Sequence, residues 1–196
     1  MEKGLLIILS GPSGVGKGTV RKHIMRDKSL GLSYSISMTT RAPRDKETDG
    51  VEYYFVSREE FDRHIQEDDF LEWAEFVGNK YGTPKSKIEE LRNKGINVLL
   101  EIEIKGATQV LEKCKKSNDK GVASIFLMPP SLKALENRIR RRKTESEEVI
   151  RERLTKGENE MNQASNYQYV VINDRIKRAA TEIIDIIKNR IEENKK

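Results

Sequence analysis

Short apolar runs punctuate an otherwise polar chain. Leu5 to Leu9 is continuously hydrophobic, and 96–102, 122–127 and 169–172 repeat that pattern. A run without polar alternation predicts a strand buried on both faces, as in a parallel sheet covered by helices. The segments between the runs carry helical spacing instead. Pro84 to Lys94 has proline in its first turn, Ile88 and Leu91 three apart, and Gly95 as its stop. Ser131 can cap a stretch bearing Leu132, Leu135 and Ile139, and Thr144-Glu145-Ser146-Glu147 reads as a capping box ahead of Val149, Ile150 and Leu154. Ile176, Ala180, Ile183, Ile184 and Ile187 predict a closing helix. Strand–helix alternation of this kind predicts an α/β fold built on an open parallel sheet flanked by helices.

Residues of about 34–83 break the alternation. Tyr34, Ile36 and Met38 alternate, Glu52 to Val56 reads as a short aromatic strand, and Ser57-Arg58-Glu59-Glu60 caps a brief helix with Phe61 and Ile65. This polar, hairpin-rich block predicts an inserted subdomain. Composition then narrows the setting. Of 196 residues, 36% are hydrophobic and 35% charged, against about 25% charged in an average domain. No apolar run reaches the roughly 20 residues that cross a bilayer, so no membrane association is expected. The apolar stretch within Met1 to Ser10 is too short for a signal peptide. Cys114 is the only cysteine, which excludes an intrachain disulfide and predicts a reducing, cytoplasmic setting.

Charge bears on the partner. Lysine plus arginine number 37 against 32 acids, a net charge of +5. The dense basic tract Arg138-Ile139-Arg140-Arg141-Arg142-Lys143 is followed at once by Glu145, Glu147 and Glu148, and aromatics are only 6%. A polynucleotide footprint would be a broader basic face, so a compact phosphate ligand is expected, and no nucleic acid. Taken individually, Arg140 and Arg141 could equally be solvated helix charges.

The most specific signal is Gly11-Pro12-Ser13-Gly14-Val15-Gly16-Lys17-Gly18-Thr19, between the first strand and a helix carrying Val20, Ile24 and Met25. Glycines let successive backbone N–H groups turn inward around a phosphate, and the helix N-terminus adds a favourable dipole. Lys17 would bridge the β- and γ-phosphates of a nucleoside triphosphate. The bland alternative is a glycine-rich turn that merely joins strand to helix. Gly18 stands where such loops usually carry Ser or Thr, with Thr19 one residue later. Magnesium would then be held mostly by phosphate oxygens and waters, with Thr19 helping.

Further motifs follow in order: Ser37-Met38-Thr39-Thr40-Arg41-Ala42-Pro43-Arg44, Gly50-Val51-Glu52-Tyr53-Tyr54-Phe55-Val56, Phe70-Leu71-Glu72-Trp73-Ala74 and Tyr81-Gly82-Thr83. Together with the phosphate loop, Leu100-Glu101-Ile102-Glu103, the arginine tract and Asn173-Asp174, they resemble the guanylate kinase family over nearly the whole chain. The resemblance implies a P-loop NTPase-type fold in a single domain. Its core would be 1–33, 84–137 and 163–196, with a GMP-binding insert of about 34–83 and a helical lid of about 138–162. It implies reversible phosphoryl transfer from ATP to GMP with Mg²⁺, and leaves dGMP acceptance to assay. It assigns Lys17, Arg41, Arg138, Arg142 and Arg153 to catalysis, and Gly11 to Thr19 with Asn173 to ATP. To GMP it assigns Ser37, Arg41, Arg44, Tyr53, Glu72, Tyr81, Thr83, Glu101 and Glu103. Thr19 and Glu101 would serve the metal through water. Glu103 replaces the family's Asp, Lys105 stands where Gln is common, and Lys143 where the lid tip usually has glycine. The oligomeric state stays open.

The chemistry of these residues is consistent with such a ligand. Arg41 and Arg44 offer planar forks for a dianionic phosphate, and Tyr53 and Tyr81 can add phenolic hydrogen bonds. A carboxylate such as Glu72 can accept both N1–H and the 2-amino group of guanine, which adenine cannot reproduce. Each also has an ordinary reading: solvated arginines, sheet-packing tyrosines, a surface acid. Glu101 and Glu103, two apart at the carboxyl end of a buried run, would share one face where open sheets place ligands. His23 and His64 lack metal partners at usable spacing, and Cys114 reads as helix packing. Rival readings are a kinase-like module that binds protein partners, a kinase of another monophosphate, and a nucleic-acid-binding protein.

Overall fold

The computed structural model describes residues 2–76, 78–141 and 146–195. In chain order the strands and α-helices are β1 (Leu6–Ser10), α1 (Lys17–Ile24), β2 (Leu32–Tyr34), β3 (Met38–Thr39), β4 (Tyr54–Phe55), α2 (Arg58–Gln66), β5 (Phe70–Phe76), β6 (Asn79–Pro84), α3 (Lys85–Asn93), β7 (Asn97–Glu101), α4 (Ile104–Lys116), β8 (Val122–Met128), α5 (Leu132–Arg140), α6 (Glu147–Met161), β9 (Tyr169–Ile172) and α7 (Ile176–Asn194).

Among the described residues, the core sheet runs β2-β7-β1-β8-β9, all neighbours parallel. Central β1 is buried along its whole length. Because successive side chains point to opposite faces, Leu5, Ile7 and Leu9 join one core cluster while Leu6 and Ile8 join another. The first cluster is closed by Val20 and Ile24 of α1 and by Ala180, Ile183 and Ile187 of α7. The second is closed by Ile88 of α3 and Val110 of α4, with Cys114 among the packing residues as expected. Burial from both sides is why β1, β7 and β8 read as apolar runs; edge strand β9 departs from that expectation, with Val170 and Ile172 exposed.

β2 escaped the sequence reading. It is a half-buried edge strand of three residues, paired Leu32–Tyr34 with Asn97–Leu99. Tyr34 therefore belongs to the core sheet, and its apparent alternation with Met38 joins two different sheets. Beyond it stands a mixed sheet of order β4-β3-β6-β5, in which β3 runs parallel to β4 while β6 is antiparallel to β3 and β5. Its apolar centre is Met38, Phe61 and Phe70, with the two phenylalanine rings stacked at 4.4 Å. α5 and α6 form a third unit through Leu135, Ile139 and Ile150.

Two local expectations are corrected. α6 opens at Glu147 with Ser146 as its cap, whose hydroxyl accepts from the Val149 amide at 3.4 Å. The expected cap Thr144 lies outside the described residues, as do Arg142 and Lys143. Glu101 and Glu103 do not share a strand face, because β7 ends at Glu101 and Glu103 is already the N-cap position of α4. No described helix is long and apolar enough to cross a membrane.

Candidate active site

The loop from β1 to α1 turns through positive φ at Gly11, Gly14 and Gly16. At Gly16 the requirement is doubled: φ is 102°, and a Cβ would stand 2.9 Å from the Asn173 amide nitrogen. Such a sequence of turns lines backbone N–H groups along a concave wall, with the first turn of α1 beneath it. Lys17, the first residue of α1, folds back over the loop and donates to Gly11 O at 2.6 Å. Its ammonium also lies 3.6 Å from Glu103.

Other elements brace the loop. Asn173 follows β9 and is 2% exposed; its side-chain amide donates to Val15 O at 2.8 Å. Arg138, in the last turn of α5, donates to Val15 O at 2.9 Å and to Asn173 O at 2.5 Å. Arg153 of α6 reaches the other side of the loop and donates to Ser13 Oγ at 2.8 Å. Asn173, Arg138 and Arg153 thus converge on one glycine-rich turn.

A cleft of about 460 Å³ opens above the loop, lined by Lys17, Gly18 and Thr19 and by Glu101 and Glu103. Glu101 is held by Arg21 of α1, whose Nε donates to Glu101 Oε2 at 2.6 Å. Sequence reasoning missed Arg21; its place one helical turn after Lys17, on the same face of α1, was the available signal.

A second cleft of about 660 Å³ shares Ser13, Glu101 and Glu103 with the first and extends to the insert. Ser37, Tyr53, Glu72 and Tyr81 line it, as do Lys105 and Lys156. Glu72 Oε1 accepts from the Thr83 hydroxyl at 2.6 Å, and Thr83 itself is fully buried. Burial pushes the Glu72 carboxyl above the ordinary glutamate range, against the opposing effect of that hydrogen bond. The carboxylate packs on α4 where a side chain would not fit: a Cβ at Gly106 would lie 2.8 Å from Glu72 Oε2.

Arg41 stands beside the Tyr53 ring, its guanidinium 5.4 Å from the ring centre. Its fork is filled by Glu47, with nitrogen–oxygen distances of 2.9 and 3.0 Å. Glu47 holds Arg41 more firmly protonated and is itself held below the ordinary carboxylate range, first by the Arg41 hydrogen bond and then by the Arg44 amide. Arg44 contributes that backbone N–H at 2.8 Å and is exposed. Glu47 was also missed; an acid six residues after Arg41 in the same loop gave no distinctive spacing. Predicted Arg142 lies outside the described residues.

The parallel sheet, its strand order and the glycine loop at the end of β1 define a P-loop NTPase-type α/β fold. The chain belongs to the guanylate kinase family, whose model, described as guanylate kinase, matches residues 3–190. It is 53% identical over 186 residues to a guanylate kinase of Mesoplasma florum, an alignment covering 95% of this chain and 61% of that one. The chain thus spans about 61% of the length of that relative. A guanylate kinase of Bacillus cereus is 52% identical over 186 residues, covering 95% of this chain and 88% of its own. The crystal structure of guanylate kinase from Anaplasma phagocytophilum superposes with a TM-score of 0.71 at 34% identity, covering 96% of this chain and 86% of that one.

Proposed function

We propose that this chain transfers the γ-phosphoryl group of ATP reversibly to GMP, giving ADP and GDP. The observation that carries the reading is Glu72: a half-buried, Thr83-bonded carboxylate in a cleft that also contains Ser13 of the phosphate loop. Guanine presents N1–H and a 2-amino group to such an acceptor, and adenine does not. Ser37, Tyr53, Tyr81, Arg41 and Arg44 then serve the GMP phosphate. The Arg41–Glu47 pairing supports this, since a carboxylate occupies the planar fork in the manner a phosphate would.

On the triphosphate side, Gly11 to Thr19 supply the cradle and Lys17 exchanges the Gly11 carbonyl for phosphate oxygens. Arg153 leaves Ser13, and Arg138 leaves its two carbonyls, to meet charge on the transferring group, with Arg142 the third member of the set. Asn173 serves ATP through the loop it braces. Phosphoryl transfer depends on positioning and charge neutralisation, and a phosphate oxygen of GMP is already a competent nucleophile, so no general base is needed.

The donor set fits magnesium: Thr19 and Glu101 are hard oxygen ligands facing one cleft, suited to an ion that keeps several waters. When bound with ATP, Mg²⁺ would neutralise charge on the β- and γ-phosphates. Glu101 and Thr19 orient water around it, while Glu103 lies between the two clefts. The insert of about 34–83 and the lid of about 138–162 each have an apolar centre of their own. That supports their acting as units that close over the core and expel water. Buried Cys114 fits a reducing cytoplasm.

The test is one assay panel: ATP and Mg²⁺ with GMP, dGMP, AMP, CMP or UMP, following ADP. Selective ADP formation with GMP is the expected result, and dGMP acceptance reads out beside it. Absence of GMP-dependent ADP, or equal turnover with AMP, overturns the reading.

A further inference from the structure

Position 18 is where the loop departs from its usual chemistry, and the structure shows what stands there instead. A Cβ built at Gly18 would meet a single neighbour within 4 Å, Glu101 Oε1 at 3.6 Å. The carboxylate at the end of β7 therefore overhangs the place from which a Ser or Thr hydroxyl would project. Its other oxygen, Oε2, takes the Arg21 Nε hydrogen bond at 2.6 Å. The Arg21 guanidinium lies 4.1 Å from the centre of the Tyr34 ring. Arg21 is thus held between an aromatic face on edge strand β2 and a carboxylate on β7, itself rooted on α1 beside Lys17. The side chains of Arg21 and Glu101 are 24% and 18% exposed, so the pair forms cleft wall rather than core.

We propose that Arg21, braced by Tyr34, is a positioning residue that fixes Glu101 over Gly18, where the carboxylate takes the place of the missing loop hydroxyl in ordering the metal's water. The inference deepens the triphosphate half of the proposed function and rests on it. A glutamate has three side-chain torsions; a charged hydrogen bond on one oxygen and a stacked guanidinium behind it leave the other oxygen aimed one way. Preorganising an outer ligand in this manner is worth about 10- to 100-fold in metal affinity.

The test uses Mn²⁺ as the probe and adenylyl imidodiphosphate as the nucleotide on the full chain, reading the paramagnetic resonance signal of free Mn²⁺. Arg21→Gln is expected to weaken Mn²⁺ retention in the nucleotide complex by about tenfold or more. Nucleotide affinity in EDTA, read by calorimetry, stays within about twofold, because the loop amides and Lys17 are untouched. Adding Gly18→Ser to Arg21→Gln is expected to restore most of the Mn²⁺ affinity, since the restored hydroxyl needs no brace. Should Arg21→Gln fail to fold, Tyr34→Leu, which removes only the stacking face, must weaken Mn²⁺ in the same direction. Unchanged Mn²⁺ retention, a parallel loss of nucleotide affinity in EDTA, or failure of Gly18→Ser to rescue overturns the proposal. GMP is absent from this titration, so its outcome is separable from that of the GMP assay.

Discussion

Burial raises the Glu72 carboxyl while Thr83 supplies a compensating hydrogen bond. The unliganded protein therefore keeps an under-donated acid that a guanine edge would satisfy with two N–H groups. Glu72→Gln is expected to collapse the preference for GMP over AMP by on the order of 10⁴, because discrimination of this size comes from leaving a buried polar group unpaired. Triphosphate binding, measured by calorimetry without GMP, should survive. The pH dependence follows from the sign of the shift. A raised folded-state value means that stability from this group is full below the ordinary glutamate value of 4.5 and is lost as pH rises through the raised value. The melting temperature of Glu72→Gln relative to the unaltered chain should accordingly climb as pH increases through that window, and a flat difference would contradict it. Glu72 and Thr83 were legible because each sits inside a contiguous motif. Arg21 with Glu101, 80 positions apart, became a pair only through folding of α1 against the end of β7.

Among the elements, α6 reaches the loop between β1 and α1, where Arg153 donates to Ser13 Oγ. An arginine that strengthens its contacts only as charge moves to the transferring group should affect turnover more than ground-state binding. Arg153→Ala is expected to lower kcat by about 10³-fold or more, with dissociation constants for GMP and the ATP analogue nearly unchanged. Equal losses in binding and in kcat would remove Arg153 from that role. Legibility of the elements followed burial. β1, β7 and β8 announced themselves as apolar runs because helices cover both faces of the sheet there, whereas the run 169–172 reads the same although β9 is an edge strand whose Val170 and Ile172 lie exposed. β4 lies inside the aromatic run Glu52 to Val56 that reads as a strand, but β2 and β3 are only two or three residues long, too short to be told apart in the run from Tyr34 to Met38, so the sheet order beyond β2 was not readable. The α6 cap was misplaced because Thr144 has Glu147 three residues on, which completes a capping box, whereas Ser146 has Val149 there.

At the scale of the molecule, Arg92 ties distant parts of the chain together. It is 1% exposed and donates to Gly4 O at 2.8 Å, to both Asp119 oxygens at 2.6 and 3.0 Å, and to Gly121 O at 3.1 Å. Burial works against ionisation of Asp119, yet the Arg92 hydrogen bonds prevail and hold its carboxyl below the ordinary range. Arg92→Met strands that carboxylate and takes a donor from the Gly4 and Gly121 carbonyls, and should cost about 3–5 kcal/mol in denaturant unfolding. A lowered folded-state value contributes stability above the ordinary aspartate range that disappears as pH falls through the lowered value. The deficit of Arg92→Met should therefore shrink in acid. The sheet's strand order has a further consequence for how the molecule is born. β1 is made long before its sheet neighbours β7 and β8, with Leu6 opposite Val98 and Val122, whereas β5 and β6 are consecutive strands that pair antiparallel. Long-range parallel pairing closes slowly and local hairpins quickly. β1 thus stays unpaired until β7 and β8 have been made, by which time β5 and β6 have already met, and the glycine loop that follows β1 is anchored only then.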